Sequence, residues 1–190
     1  MRILGIDPGS VVTGIGIVDL KNDSEVKLVC YDAISLNPKS EITARLKNIY
    51  DNCVKIIKKY KPDELAIETA FYGKNIQSTL KLGQARGVVI IAALNMGLTI
   101  SEYSPREIKK SVTGNGSASK EQVQFMIKKI LKIKVNPDFI DSSDALAVAL
   151  CHRFALEKPP VIPKIKKRKS TLKNQWNDYI LKNPDKILKT

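Results

Sequence analysis

The chain has 190 residues, enough for one domain and an appendage, and its 32 Lys/Arg against 19 Asp/Glu leave a net charge of +13. A surplus of that size makes a polyanion the expected partner, nucleic acid ahead of an anionic membrane. No run approaches the roughly 20 apolar residues of a membrane span, and Met1-Arg2 leads into a strand pattern rather than a signal peptide, so a cytoplasmic protein with no membrane partner is expected.

In the first stretch an apolar run ends on Asp7, and after a turn marked by Pro8 and Gly9 a β-branched run fills residues 11–18. The pattern predicts a β-hairpin with one acid at its tip, Gly14 and Gly16 leaving room for close backbone approach. Asp7 is then either a turn acid bonded to its own backbone or a carboxylate held toward a cleft. Glu25–Ser35 alternates Val26, Leu28, Cys30 and Ile34 with polar residues and predicts a third strand antiparallel to the second. From Ile42 to Tyr60, Leu46, Ile49, Cys53, Ile56, Ile57 and Tyr60 recur at helical spacing, a helix that packs on the sheet and ends at Lys61-Pro62-Asp63. Glu64-Leu-Ala-Ile-Glu68 is a short, apolar central strand that also finishes on a carboxylate.

Residues 69–74 form a loop carrying Phe71, Tyr72 and Lys74, followed by a long helix from 75 to about 94 and a fifth strand over 98–103. Pro105 suits the first turn of a short helix over 105–112. Residues 114–119 read as a flexible loop, with Ser119 as N-cap of a helix over Lys120–Leu131 whose apolar face is Val123, Phe125, Met126, Ile127 and Ile130. A last helix runs from 137 to about 156; Asp141 and Asp144, at i and i+3, share one face, and Ala145, Leu146, Ala149 and Leu150 pack on the sheet. His152, the single histidine, reads as a surface or packing residue, and Cys30, Cys53 and Cys151 as reduced core residues without zinc spacing. A body of residues 1–157 then gives way, through Pro159, Pro160 and Pro163, to a basic tail: residues 158–190 hold 10 Lys/Arg against 2 Asp/Glu.

Asp7, Glu68, Asp141 and Asp144 can converge. Taken singly, Asp141 is a helix-dipole acid and Glu68 a lysine's partner. Together they repel one another unless a cation lies between them, and Mg²⁺ or Mn²⁺, hard ions with oxygen ligands, suit. Two such ions roughly 3.5–4 Å apart activate water and stabilise the leaving oxygen of a phosphodiester. Asp138 shares the spacing to Asp141 but reads as a first-turn residue. Phe71 beside Lys74 can stack on an unpaired base or fold back under its loop. Lys81 and Arg86 could bind phosphate, and Lys109 and Lys120 read from composition as solvated helix charges.

Ile6-Asp-Pro-Gly-Ser10 with Thr13-Gly14, Ala66-Ile-Glu68, Phe71-Tyr-Gly-Lys-Asn75, Lys81-Leu-Gly-Gln-Ala-Arg-Gly87, Tyr103-Ser-Pro-Arg-Glu-Ile-Lys109, residues 114–120 and Asp141-Ser-Ser-Asp144-Ala-Leu-Ala, in that order, resemble the RuvC family of crossover (Holliday) junction endonucleases. The resemblance covers residues 1 to about 155. It implies an RNase H-like α/β fold, here a five-stranded mixed sheet flanked by helices. It also implies a homodimer that makes paired symmetric nicks in four-way junction DNA with Mg²⁺ and leaves 5′-phosphates, and the RuvA-RuvB branch-migration complex as a partner. Asp7, Glu68, Asp141 and Asp144 match the family's catalytic acids, Phe71 its junction-opening aromatic, and Lys109 and Lys120 its scissile-strand lysines. Residues 158–190 depart from that pattern and read as a DNA-binding arm, a docking segment or a solubilising extension. A phosphate-binding hairpin of actin-like ATPases would need a second domain, a junction-binding protein would not need four acids facing a polyanion, and a general RNase H is the nearest enzymatic alternative.

Overall fold

The structure, a computed structural model, describes residues 1–22, 25–69, 75–133, 139–157, 179 and 181–182. Strands β1 (Arg2–Asp7), β2 (Val12–Asn22), β3 (Glu25–Ser35), β4 (Glu64–Glu68) and β5 (Thr99–Tyr103) form one sheet in the order β3-β2-β1-β4-β5. The β1, β2 and β3 strands meander antiparallel, while β4 joins β1 and β5 joins β4 in parallel, so the sheet is mixed as expected. Helices α1 (Ile42–Tyr60), α2 (Ile76–Asn95), α3 (Pro105–Thr113), α4 (Lys120–Leu131) and α5 (Phe139–Leu156) complete the body. Chain contacts divide the molecule into Met1–Pro159, which holds all these elements, and Pro160–Thr190.

Strand side chains alternate between faces, and the alternation assigns the layers. Leu4, Ile6, Ile15, Ile17, Leu65 and Ile67 face α1 and α2 in one apolar layer. Ile3, Val18 and Ala66 face α5, which is covered in turn by Ile108 and Val112 of α3 and Val123, Ile127 and Leu131 of α4. Asp7 and Glu68, in phase with Ile3 and Ala66, therefore rise on the α5 side at the ends of adjacent strands, since Ile6 is paired with Ile67. From Ala145 to Cys151 every residue of α5 is buried, because sheet and helices enclose it on all sides.

The enclosure is close. A Cβ on Gly5 would stand 2.2 Å from the Ala145 carbonyl oxygen and 2.7 Å from the Ala149 nitrogen, and one on Gly16 would stand 2.7 Å from the Leu146 nitrogen. Two glycines on neighbouring strands thus let the backbone of α5 lie directly on the sheet.

Some expectations change. The 114–119 segment is a bonded turn rather than a flexible loop: Gly114 closes α3 in the left-handed region, Asn115 N–H donates to Thr113 Oγ1, and Ser117 N–H donates to Asn115 Oδ1. Phe125 is 57% exposed, with Lys129 over its ring at 5.1 Å, so the buried face of α4 is Val123, Ile127 and Leu131. Cys30 is half-buried and accepts from the Tyr60 hydroxyl; Cys53 and Cys151 are buried, and none of the three forms a disulfide. No helix among the described residues is long and apolar enough to cross a membrane.

Gly5→Ala and Gly16→Ala force α5 off the sheet. Each is expected to lower unfolding free energy by about 1–3 kcal/mol, the range for overpacking, read as a fall in the urea midpoint with the slope unchanged.

Candidate active site

Pro8 ends β1, and the turn after Asp7 is pinned from two sides. Thr13, fully buried on β2, donates to the Gly9 carbonyl at 2.9 Å and accepts the Gly9 N–H at 3.3 Å. Arg45 of α1 donates from Nη1 to the Ser10 carbonyl at 2.8 Å. Gly9 is required, since a Cβ there would stand 1.9 Å from the Val12 carbonyl oxygen. On the far side of the site, Ser104 and Ser119 start α3 and α4 with capping boxes to Glu107 and Gln122. Those caps set the phase of each helix, so Lys109 and Lys120, one from each, turn toward the same cavity.

That open cavity, about 300 Å³, is lined by Asp7, Glu68, Lys109, Lys120 and Asp144 over an apolar floor of Pro105, Ile108, Val123 and Ala147. Lys120 Nζ lies 2.8 Å from Asp144 Oδ2. Burial pushes the Asp7 carboxyl up to about 6, the Asp144 charge adding to it and Lys120 opposing. Burial likewise pushes Glu68 up to about 7, with Asp7 and Asp144 raising it further and Lys109 and Lys120 pulling it down. Three acids thus crowd one space at a cost in ionisation that two ammonium groups only partly offset.

The donor set is all oxygen, which suits Mg²⁺ or Mn²⁺ rather than a soft metal. Among the described residues no three acidic, His or Cys side chains close on one point.

Of the remaining expected residues, Arg86 lines an adjoining cavity with Asp7, Glu68 and Pro105, paired to Glu102 of β5. Lys81 is exposed on α2 and lines neither cavity. Asp141 sits on α5 one turn before Asp144, its side chain outside what is described. Phe71, Tyr72, Lys74, Asp138, the start of the last helix at 137, the 164–169 basic run and Leu172, Trp176 and Ile180 also lie outside the described residues.

Arg45 escaped the sequence reading, and of the two alternatives for His152, surface or packing, burial selects packing. Arg45 stands four residues before Ile49 on the buried stripe of α1, and a charge continuing an apolar stripe was the signal. His152 is no surface residue: it is 2% exposed, with both ring nitrogens engaged.

The chain matches the family model described as crossover junction endodeoxyribonuclease RuvC over residues 3–152. It is 48% identical over 189 residues to crossover junction endodeoxyribonuclease RuvC of Chloroherpeton thalassium, covering 100% of both chains. With the protein of that name from Salinibacter ruber it shares 51% identity over 152 residues, covering 80% of this chain and 84% of the relative. Among solved structures, Thermus thermophilus RuvC in complex with Holliday junction substrate aligns with a TM-score of 0.77 at 31% identity, over 82% of this chain and 94% of that one. With the strand order above, this likeness makes the fold RNase H-like α/β. The alignment with the C. thalassium protein runs through residues 158–190 as well, whereas that with the S. ruber protein covers 152 residues.

The raised acids carry a pH signature. Between about pH 4 and 7 the folded chain holds protons on Asp7 and Glu68 that the unfolded chain has released, so their contribution to stability is present at low pH and lost as pH rises through 6 to 7. In EDTA, Glu68→Gln is expected to stabilise the protein by about 1–3 kcal/mol at pH 8 and to leave it unchanged at pH 4, measured by urea unfolding at both.

Proposed function

The chain belongs to the RuvC family of crossover junction endodeoxyribonucleases, and on that premise we propose that it is a structure-selective endonuclease that resolves four-way DNA junctions by paired symmetric nicks in recombination and repair. The observation that carries this reading is the meeting of Asp7, Glu68 and Asp144 with Lys109 and Lys120 in one open cavity.

Asp7, Glu68 and Asp144, with Asp141 as the fourth acid, hold two Mg²⁺ ions, for which Mn²⁺ substitutes. Bound there, the ions supply water activation for in-line attack and charge stabilisation at the leaving oxygen. The chain's own groups do the rest. The strand-end carboxylates are fixed by the sheet and by the Thr13 and Arg45 bonds to the turn, so little rearrangement is needed on binding. Lys109 and Lys120 face the same space and bind the phosphates flanking the scissile bond, countering the repulsion between a polyanion and an acidic site. Arg86 extends the phosphate contact along the adjoining cavity, and Lys81, exposed on the same helix, adds a phosphate contact outside both cavities. Phe71 and Lys74, in the loop between β4 and α2, supply base stacking and charge at the junction centre. The basic 158–190 tail adds sequence-independent attraction for DNA, the substrate is met in the cytoplasm, and the RuvA-RuvB complex is the branch-migration partner.

A homodimer is supported by α2. Ile76, Leu80, Ile91 and Leu94 are 48–74% exposed and fall on one side of this helix. Gly83 and Gly87 lie on the same side, and a Cβ on either would meet nothing within 4 Å. An apolar stripe with two glycines at its centre lets a second copy approach closely, and two sites related by a twofold axis match two symmetric nicks.

With Mg²⁺, wild-type protein is expected to nick a mobile four-way junction symmetrically and to spare linear duplex and RNA–DNA hybrid. Asp7→Asn should lose at least about 10³-fold in rate and keep junction binding, as removal of a group that supports charge stabilisation in the transition state predicts; cleavage of the hybrid instead would move the chain to RNase H activity. Leu80→Glu should convert a dimer to a monomer in analytical ultracentrifugation, with the two nicks no longer appearing together.

A further inference from the structure

His152 of α5 lies away from the cavity, buried between two strands. Its Nε2 is 2.6 Å from Glu64 Oε2 on β4, and its Nδ1 is 2.7 Å from the Tyr103 hydroxyl on β5. Whichever tautomer the ring adopts, both nitrogens are used. A Leu at this position would simply continue the apolar run of α5 from Ala145 to Cys151. An imidazole there instead costs desolvation that only its two partners offset, and what they return is direction, since hydrogen bonds fix geometry where apolar packing does not.

The direction points at the acids. Glu64 and Glu68 share a face of β4, four residues apart, about 13 Å at the rise of a strand. His152 and Asp144 are eight residues apart on α5, about 12 Å at the rise of a helix. Helix and strand run in opposite directions with matched spans, so the His152–Glu64 contact and the Asp144–Glu68 approach are two rungs between the same rails. Tyr103, opposite Glu68 in the β4–β5 register, ties the same histidine to the next strand. Gly5 and Gly16 seat α5 on β1 and β2, but toward β4 the residue between the two glutamates on this face is Ala66, which packs without directing.

We propose that His152 is a positioning residue: clamped by Glu64 and Tyr103, it sets the depth of α5 over β4 and so the gap between Asp144 and Glu68 that receives the divalent ion. The inference rests on the metal site proposed above and deepens it.

The test uses His152→Leu, Tyr103→Phe and their double variant on the full chain. It has three readouts: Mn²⁺ affinity by titration, Mg²⁺ half-saturation of junction nicking, and junction affinity in EDTA. His152→Leu is expected to weaken Mn²⁺ binding and raise the Mg²⁺ half-saturation by about tenfold, the usual effect of losing a group that orients metal ligands. Tyr103→Phe should shift both in the same sense by less, the double variant should equal His152→Leu, and junction affinity should stay within about twofold. Where His152→Leu does not fold, Tyr103→Phe, which removes one hydroxyl, carries the test alone. A lowered unfolding midpoint with Mn²⁺ affinity and Mg²⁺ half-saturation unchanged would overturn the inference and leave His152 a packing residue. Wild-type protein that binds Mn²⁺ but nicks no junction would defeat the proposed function instead, while the Mn²⁺ titrations would still decide the role of His152.

Discussion

The backbone of α5 rests on the sheet at Gly5 and Gly16 with no side chain between them. Much else depends on that contact. It brings a helix that is apolar for most of its length close enough for an acid at its open end to face two acids at strand ends. It also leaves the helix hemmed in by α3 and α4, which carry the site's lysines, Lys109 and Lys120. A methyl group on either glycine would have to displace helix backbone, which cannot rotate away as a side chain can. The geometry of the cavity is therefore set by main-chain packing, the least adjustable part of the molecule.

Within that frame the electrostatics are left unbalanced. Burial and mutual repulsion push the Asp7 carboxyl up to about 6 and Glu68 up to about 7, so each ionises at a cost, and the Lys120–Asp144 pair satisfies only the third acid. A divalent cation placed among them, as proposed above, would relieve all three at once. The same charges explain why lysines had to be close by: phosphate brought against a purely acidic wall would be turned away.

The strand and helix periodicities were readable because they are local, and so were the acids at the ends of β1 and β4, where an apolar run stops on a carboxylate. Gly16 could be marked as a place of close approach because it breaks a β-branched run. Gly5 could not, because its partner, Ala145, lies 140 residues away and nothing near it announces the contact. His152 could be read as a packing residue, but its partners could not, since a single polar residue after an alanine-rich stretch gives no hint of Glu64 or Tyr103. The bonded turn at 114–119 looked loose because glycine, asparagine and serine mark flexible and tightly hydrogen-bonded loops alike. Phe125 was placed in the core from hydrophobicity alone, and the spacing of Val123, Ile127 and Leu131 left it outside.

The order of the strands has a consequence for how the site comes into being. Asp7 belongs to a meander of neighbours in sequence, Glu68 reaches it only by a crossover through α1, and Asp144 arrives on the last helix of the body. A chain that ends before α5 lacks Asp144 and Ala147, and with them the third wall of the cavity. The cavity is thus complete only when the last helix of the body is in place.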